Sequence, residues 1–511
     1  MQLQCSVLGK DIEITDTSTP VISPYWRLKR NGEWILLCRY AAEQCDYSLV
    51  SPLVGATLSL MDGRLAFRHL CLIVQYANGF EDLEAAEEFV TKVILATNKE
   101  CDAVVEMTPE LEPFVIKMDP LRFASNTSVS QEQKRPAAPL SLNLMFSNEC
   151  ETNCSYCQAQ RRYLPENTLL SAKRWKEIIS EAKSLGIEQV TLSGGDPLYR
   201  KEALVLIGEL IAKKMLFQLP TKCCITEEIA DRLVEVGMTK PINHYLREIQ
   251  LTMDGPDEEP SHKSAGKSSH FSKSVQSIRN LQARGFNLRI KALATSVNAS
   301  QIYQWIKQLV EMGVTQITVA AYAKAYHKHN GNLSLSSQDK ISIAQQCQKA
   351  RTDFPGISLS TNGIGPAPGA EQNTESASIC QRGPIEISVD IGEESSGKIS
   401  YWKSRVQCAG GRTSMTITPD GKVVLCDTVP QDEPFFVGDV STQSLLEVWN
   451  SESLLNFAYP PREKFKGSAC YDCDKLEECQ SKLGHCFRDS YFNLGTIFGP
   501  AAHCPMAQRQ A

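Results

Sequence analysis

Cys150, Cys154 and Cys157 are the residues of this chain whose types and spacing most directly suggest chemistry. They stand in the run Asn148-Glu149-Cys150-Glu151-Thr152-Asn153-Cys154-Ser155-Tyr156-Cys157, which reads C-x3-C-x-aromatic-C. Three thiolates on one short loop can hold three irons of a [4Fe–4S] cube. The fourth iron then lacks a protein ligand and is open to a small molecule. Incidental loop cysteines, or part of a zinc site, are the plainer alternatives. A second set lies further on: Cys408, Cys426, Cys470, Cys473, Cys479, Cys486 and Cys504. Its short pairs could by themselves form a zinc ribbon. Asp427 directly follows Cys426. A carboxylate beside a redox centre can act as a general base, and a solvated turn is the alternative.

The elements around these residues must position them. Leu142-Asn143-Leu144-Met145-Phe146 alternates as a strand does, and the three-Cys loop follows it. A helical stretch from Leu169 to Leu185 leads to Glu188-Gln189-Val190-Thr191-Leu192, then to Ser193-Gly194-Gly195-Asp196-Pro197. Gly194 and Gly195 let backbone approach a ligand closely, although such a tetrapeptide alone is commonly a turn. Strand-like runs recur at 141–147, 188–193, 215–220, 248–253, 287–295 and 315–321, with helical runs between them. This alternation predicts an α/β fold with a parallel sheet and chemistry at the C-terminal strand ends. Thr221 ends the third strand, Thr252-Met253-Asp254-Gly255 ends the fourth, and Asn298 follows the fifth. Each of these polar residues could equally be a cap or turn.

The chain has 511 residues, a formal net charge of -6 and 19 cysteines. That length suggests about three domains at roughly 150 residues each. The charge gives no broad reason to bind nucleic acid or an anionic membrane, and no apolar run approaches the roughly 20 residues of a membrane span. The start, Met1-Gln2-Leu3-Gln4-Cys5, lacks the regions of a secretory signal. So many cysteines without a signal fit a reducing cytoplasm and metal clusters better than a disulfide scaffold. Residues 125–139 and 366–378 have linker composition. The expected division is 1–124, a linker at 125–139, a core at 140–365 and a cysteine-rich domain at 366–511. In the first part, two strand-like runs flank the turn Asn31-Gly32, and helical stretches follow at Leu53–Gly63, Phe67–Tyr76 and Asp82–Thr97. Hairpin then helices outlines a winged helix, whose helices are not basic enough to suggest DNA.

The three-Cys loop and the later Gly-Gly-Asp-Pro resemble the radical S-adenosylmethionine (SAM) enzymes. The resemblance implies a partial (β/α)6 barrel. It also implies SAM chelated by the open iron of the Cys150/Cys154/Cys157 cluster, and a 5′-deoxyadenosyl radical that abstracts hydrogen. Gly194, Gly195 and Asp196 would hold the methionine amino group, with Asp196 where the family more often has Glu. Thr221, Thr252, Asp254 and Asn298 match positions that line the SAM site. The loop after Gly255 departs from the pattern: it has His262-Lys263 and no Arg, and Lys267 is the basic residue that could substitute. The ordered C-terminal cysteines resemble the SPASM extension, which carries two auxiliary [4Fe–4S] clusters. Carry-over gives the first Cys408, Cys426 and Cys486, and the second Cys470, Cys473, Cys479 and Cys504. The fourth iron of the first would be open, bound by Cys380, or bound by substrate. Six residues separate Cys479 from Cys486, where three is usual. In a sulfatase-maturing relative, an Asp placed like Asp427 takes a proton from the substrate. Residues 20–100 resemble the leader-recognition element of peptide-maturing enzymes, itself similar to the small chaperone of pyrroloquinoline quinone synthesis. That element captures a leader peptide as an added strand.

Together these imply an enzyme acting on a ribosomally made precursor peptide, with a reductant such as flavodoxin or ferredoxin. The product would be a C–C or C–S crosslink, or a splicing that excises tyramine and leaves an α-keto amide. A maturase of a folded enzyme (sulfatase or quinohemoprotein type) and a non-catalytic iron–sulfur scaffold are the alternatives.

Overall fold

Apolar alternation on either side of Asn31 builds the first sheet. The structure, a computed structural model, describes residues 2–5, 10–31, 34–39, 47–101, 103–112, 115, 117–123, 135–157, 159, 164–241, 247–323, 331–365, 385–387, 408–480, 485–501 and 504. β1 (Gln2–Cys5) pairs antiparallel with β2 (Lys10–Glu13). After β3 (Pro20–Ile22), the strands β4 (Trp26–Asn31), β5 (Trp34–Arg39) and β6 (Tyr47–Val50) form an antiparallel meander. Side chains of β5 are buried on both faces from Trp34 to Cys38, as a central strand requires. Three helices follow: α1 (Pro52–Ser59), α2 (Phe67–Asn78) and α3 (Leu83–Cys101). Leu28, Ile35, Leu37 and Val50 of the sheet share one core with Val54, Leu58, Leu70, Val74, Val90 and Ile94 of the helices. Ser51 caps α1 by accepting from the Val54 N–H, with Pro52 in the first turn. Asn98 holds Val104 through both amide atoms, at 2.7 and 2.8 Å. That contact turns α3 into β7 (Val104–Glu106), which pairs with β3. The hairpin-then-helices order is the one expected from sequence.

The second sheet is parallel. Its strands are β8 (Ser141–Ser147), β9 (Gln189–Gly194), β10 (Leu216–Thr221), β11 (Glu248–Thr252), β12 (Asn287–Ala294), β13 (Gln316–Ala321) and β14 (Ser358–Asn362). Between them run α4 (Ala172–Ser184), α5 (Ala203–Ala212), α6 (Glu227–Glu235), α7 (Glu258–Ala265), α8 (His270–Gln282), α9 (Ile302–Glu311) and α10 (Ser337–Asp353). The six expected strands are present, and β14 is a seventh. β15 (Ile385–Ile387) belongs to the first sheet, where it pairs parallel with β6. β16 (Ser414–Ile417) pairs parallel with β8, and β17 (Lys422–Val424) and β18 (Gly438–Asp439) extend it antiparallel. The order is β14-β13-β12-β11-β10-β9-β8-β16-β17-β18. Among the described residues this sheet keeps two edges, so the barrel they form is partial.

A parallel sheet covered by helices on both faces reads as a continuous apolar run. β12 does not: Leu288, Ile290, Ala292 and Ala294 are buried, while Asn287, Arg289, Lys291 and Leu293 alternate as half-buried. The polar face carries a network across the strands. Arg289 binds Glu248 at 2.9 Å and Gln316 at 3.0 Å, Gln218 donates to Glu248, and Thr318 meets Ser360 at 2.8 Å. This is the face beside which a site is expected, at the C-terminal strand ends. Two compact units emerge. One is made of Met1–Ala137, Ala377–Cys408 and Glu477–Gly484, and the other of Ala138–Ser376, Ala409–Leu476 and His485–Ala511.

Candidate active site

The cluster loop leaves the C-terminal end of β8 and is clamped from two sides. On one side, Gly195 N–H donates to Ser147 O and Asp196 N–H to Glu149 O, both at 2.7 Å. On the other, Asn153 and Ser155 N–H donate to Ala265 O and Ser264 O at 2.9 Å. Gly195 is there because a Cβ would fall on the Glu149 carbonyl oxygen. Gly194 sits at φ 97°, where a side chain is strained. The Thr152 hydroxyl lies between two thiols, 3.3 Å from Cys150 Sγ and 3.4 Å from Cys154 Sγ. Cys154 is buried, and Cys150 and Cys157 are half-buried. Asn148 is buried at the root of the loop with neither amide atom partnered. Three thiols on one rigid loop, a glycine cradle and an orphaned buried amide fit a cluster with a polar ligand beside it. Among the described residues no three His, Cys, Asp or Glu side chains stand close enough to hold a single metal ion. A tetrahedral zinc, with bonds of about 2.3 Å, needs its sulfurs within about 4 Å of one another.

Gly195→Ala tests the clamp. Overpacking against backbone should cost about 1–3 kcal/mol and lower iron loading, read by chemical unfolding and by iron content after reconstitution. Wild-type values for both would show that the loop yields freely.

Asp196 is buried and already engaged. Its oxygens accept from the Thr221 hydroxyl at 2.8 and 2.9 Å, Lys222 N–H at 2.7 Å, Leu198 N–H at 3.0 Å and Cys223 N–H at 3.2 Å. Burial pushes its carboxyl up, against the pull of these donors. Asp196 and Thr221 therefore tie the end of β9 to the end of β10.

Asp254 lies across the same rim. Its Oδ2 accepts from the Tyr156 hydroxyl at 2.5 Å and from Lys222 Nζ at 2.9 Å, and its Oδ1 from Leu293 N–H at 3.1 Å. Asn298 Nδ2 donates to Asp254 O at 2.8 Å and Leu293 O at 2.9 Å, so this residue locks the ends of β11 and β12. Thr252 is half-buried, beside Lys291 in register. Lys267 pairs with Glu151 on the cluster loop, which Lys273 also approaches at 3.6 Å. Lys267, the basic residue that could substitute for the missing Arg, thus pins the loop.

Asp427 follows β17 and comes to the polar face of the core sheet. Asn143 of β8, Arg488 and Lys291 all act on its carboxyl in the sense that favours the charged form. Ser193 Oγ donates to Asn143 Oδ1 at 2.6 Å. Burial raises the carboxyl above its ordinary range, while its own backbone N–H, Asn143 and the two cations offset part of that. Cys426 Sγ is 2.9 Å from the Thr428 hydroxyl, to which Arg488 donates at 3.1 Å. Burial first, then Asp427, pushes the Cys426 thiol up to about 11. Cys470 and Cys473 share one turn, with Cys473 N–H on Cys470 O at 3.3 Å and Arg462 on Cys473 O at 3.1 Å. Cys486 directly precedes the helix Phe487–Leu494, and Cys504 N–H bonds Ala501 O. Cys408 and Cys479 lie in segments of the first unit, and the other five in the second. Cys380 lies outside the described residues. Sequence reading missed Lys222, Asn143 and Asn148. The signal for all three was a polar residue within or just after a strand of the parallel sheet.

Two family profiles match the chain: the radical SAM superfamily over residues 144–295 and the SPASM iron–sulfur cluster-binding domain over residues 408–474. The second match includes Cys408, Cys426, Cys470 and Cys473 and ends before Cys479. The PqqA peptide cyclase of Granulibacter bethesdensis is 22% identical over 349 residues, which is 66% of this chain and 80% of that protein. That of Methylorubrum extorquens strain PA1 is 23% identical over 346 residues, 67% of this chain and 79% of its own. Among solved structures, Streptococcus suis SuiB bound to its precursor peptide SuiA shares the fold. Its TM-score is 0.59 at 16% identity, over 96% of this chain and 100% of that one. The matched domains include the clamped three-cysteine loop and the strands β16–β18 that extend its sheet, the first two of which lie between Cys408 and Cys426. The chain carries a radical SAM domain and a SPASM domain, and these imply [4Fe–4S] clusters and S-adenosylmethionine as its cofactors.

Proposed function

We propose that this protein modifies a ribosomally made precursor peptide by abstracting hydrogen from a core residue. The observation that carries the reading is Asp427. Its buried carboxylate follows a SPASM cysteine and feels Asn143 and Lys291, on the polar face of the sheet that bears the cluster loop. Likeness to PqqA peptide cyclases favours ring closure through a new C–C or C–S bond over backbone splicing. When bound, the clusters and SAM supply one-electron chemistry and the hydrogen-abstracting radical.

The chain's own residues do the rest. Cys150, Cys154 and Cys157 hold the SAM cluster, and Gly194 and Gly195 let the loop close on the ligand. Asp196 and Thr221 set the shape of the methionine end. Thr252, Asp254 and Asn298 frame the opposite rim, and Asn148 offers its unpartnered amide. Asp427 takes the proton released as the substrate is oxidised. Cys408, Cys426 and Cys486, with Cys470, Cys473, Cys479 and Cys504, hold two auxiliary clusters. A flavodoxin or ferredoxin supplies electrons in the cytoplasm. The meander β4–β6 reads the leader. Because β15 occupies the β6 edge, the leader strand either displaces β15 or adds at β4.

The test is reduced, reconstituted protein with SAM and the peptide encoded by a short reading frame beside its gene. Tandem mass spectrometry should show loss of two hydrogens localised to one residue pair. Cleavage of SAM with every candidate peptide returned unchanged would refute the reading.

A further inference from the structure

Arg289 and Lys291 stand two residues apart on β12, so their side chains leave the same face of the strand. Arg289 fixes which face this is, because it reaches Glu248 of β11 at 2.9 Å and Gln316 of β13 at 3.0 Å. Lys291 lies one layer nearer the C-terminal strand ends, in register between Thr252 and Thr318. The two cations meet different surroundings. Arg289 is saturated, with Thr318 Oγ1 at 3.4 Å as a further acceptor. Lys291 is half-buried, and among the described residues its ammonium makes no ion pair and no hydrogen bond. The other carboxylates nearby are already paired: Glu248 with Arg289, Asp254 with Lys222 and Glu151 with Lys267. Asp427 feels the charge of Lys291 but forms no ion pair with it. The Thr318 hydroxyl is engaged with Ser360 at 2.8 Å. Taking a cation partly out of water is unfavourable until an anion meets it, and the neighbours in register supply none.

We propose that Lys291 is a specificity-determining residue that binds a carboxylate of the peptide substrate, either an Asp or Glu side chain or the peptide's C-terminus. The inference deepens the peptide-modifying reading and rests on it. Depth favours the peptide over the carboxylate of SAM. The residues expected at SAM, Thr221, Asp254 and Asn298, stand at the strand ends or beyond them, whereas Lys291 is three residues short of the end of β12. Below it, the bonds of Arg289 to Glu248 and Gln316 close the polar face, so an anion entering from the strand ends meets Lys291 first. A charge-assisted bond there would hold one acidic residue of the core peptide and so set which neighbouring residue faces the radical.

The probe is the peptide encoded by the short reading frame beside the gene, with full-length protein reconstituted anaerobically and loaded with SAM. Variants of the peptide change each Asp to Asn and each Glu to Gln in turn, and one carries a C-terminal amide. Lys291→Met, apolar and of similar length, should lower kcat/KM for the parent peptide about tenfold or more. One peptide variant should cause the same loss with the parent protein and, within about twofold, no further loss with Lys291→Met. Which variant does so tells a side-chain carboxylate from the C-terminus. Losses that simply multiply for every peptide variant overturn the proposal. So does a comparable fall in SAM affinity of Lys291→Met without peptide, which would make the carboxylate that of SAM. A second measurement needs no variant and no turnover. A carbodiimide, which joins an amine to a carboxylate only in contact, should link Lys291 of the parent protein to one acidic group of the peptide, read by mass spectrometry. Modification of the peptide without that link overturns the proposal alone, and the link without modification overturns the peptide-modifying reading alone.

Discussion

The Cys150→Ala/Cys154→Ala/Cys157→Ala variant is expected to form no 5′-deoxyadenosine while keeping about eight of about twelve irons. The loss should be complete because the three thiols share one loop, and nothing else on that loop replaces a thiolate. Thr152 stands between two of the sulfurs, but its hydroxyl is a poor iron ligand. The fold should survive, since the loop is held by backbone bonds to Ser147, Glu149, Ser264 and Ala265 rather than by sulfur. Iron analysis and product chromatography on the same sample make the test. A parent protein with about four irons, or with stoichiometric zinc, would remove the auxiliary clusters from the scheme.

Asp427→Asn should keep every cluster and still cleave SAM, yet lower peptide product by about 10²–10⁴-fold. The substitution is nearly isosteric. The loop after Cys426 should keep its shape, because the side chain's volume is unchanged. What is lost is an acceptor that can carry away a proton. Quantifying 5′-deoxyadenosine and modified peptide in one reaction separates the two effects. Product at the parental rate would make Asp427 a turn residue, and a fall in both quantities would point to damage at Cys426.

The parallel strands β8–β13 were legible because each is a short apolar run between helical stretches. β14 was not, since Ser358-Leu359-Ser360-Thr361-Asn362 is too polar to read as a strand without its neighbour β13. β16 was assigned to the cysteine-rich domain, and only its distant pairing with β8 shows that it continues the core sheet. Cysteine spacing is local, so the cluster loop could be found by eye. Lys222 and Asn143 gain meaning only from residues on other strands, which no spacing rule reaches. Asp196 and Asn298 were expected at the ligand, and the structure shows how much of their hydrogen bonding goes to joining strand ends.

β15 closes the β6 edge from far along the chain, and this has a consequence for how the protein is made. Translation proceeds at about 5–20 residues per second, so the stretch from Val50 to Ile385 takes roughly 20–70 s to synthesise. Through that interval β6 has left the ribosome and its eventual neighbour does not yet exist. An unpaired strand edge is a template for any extended segment nearby. The nascent protein therefore passes through a stage in which this edge is open to a chaperone or another chain, and it loses that openness when β15 arrives.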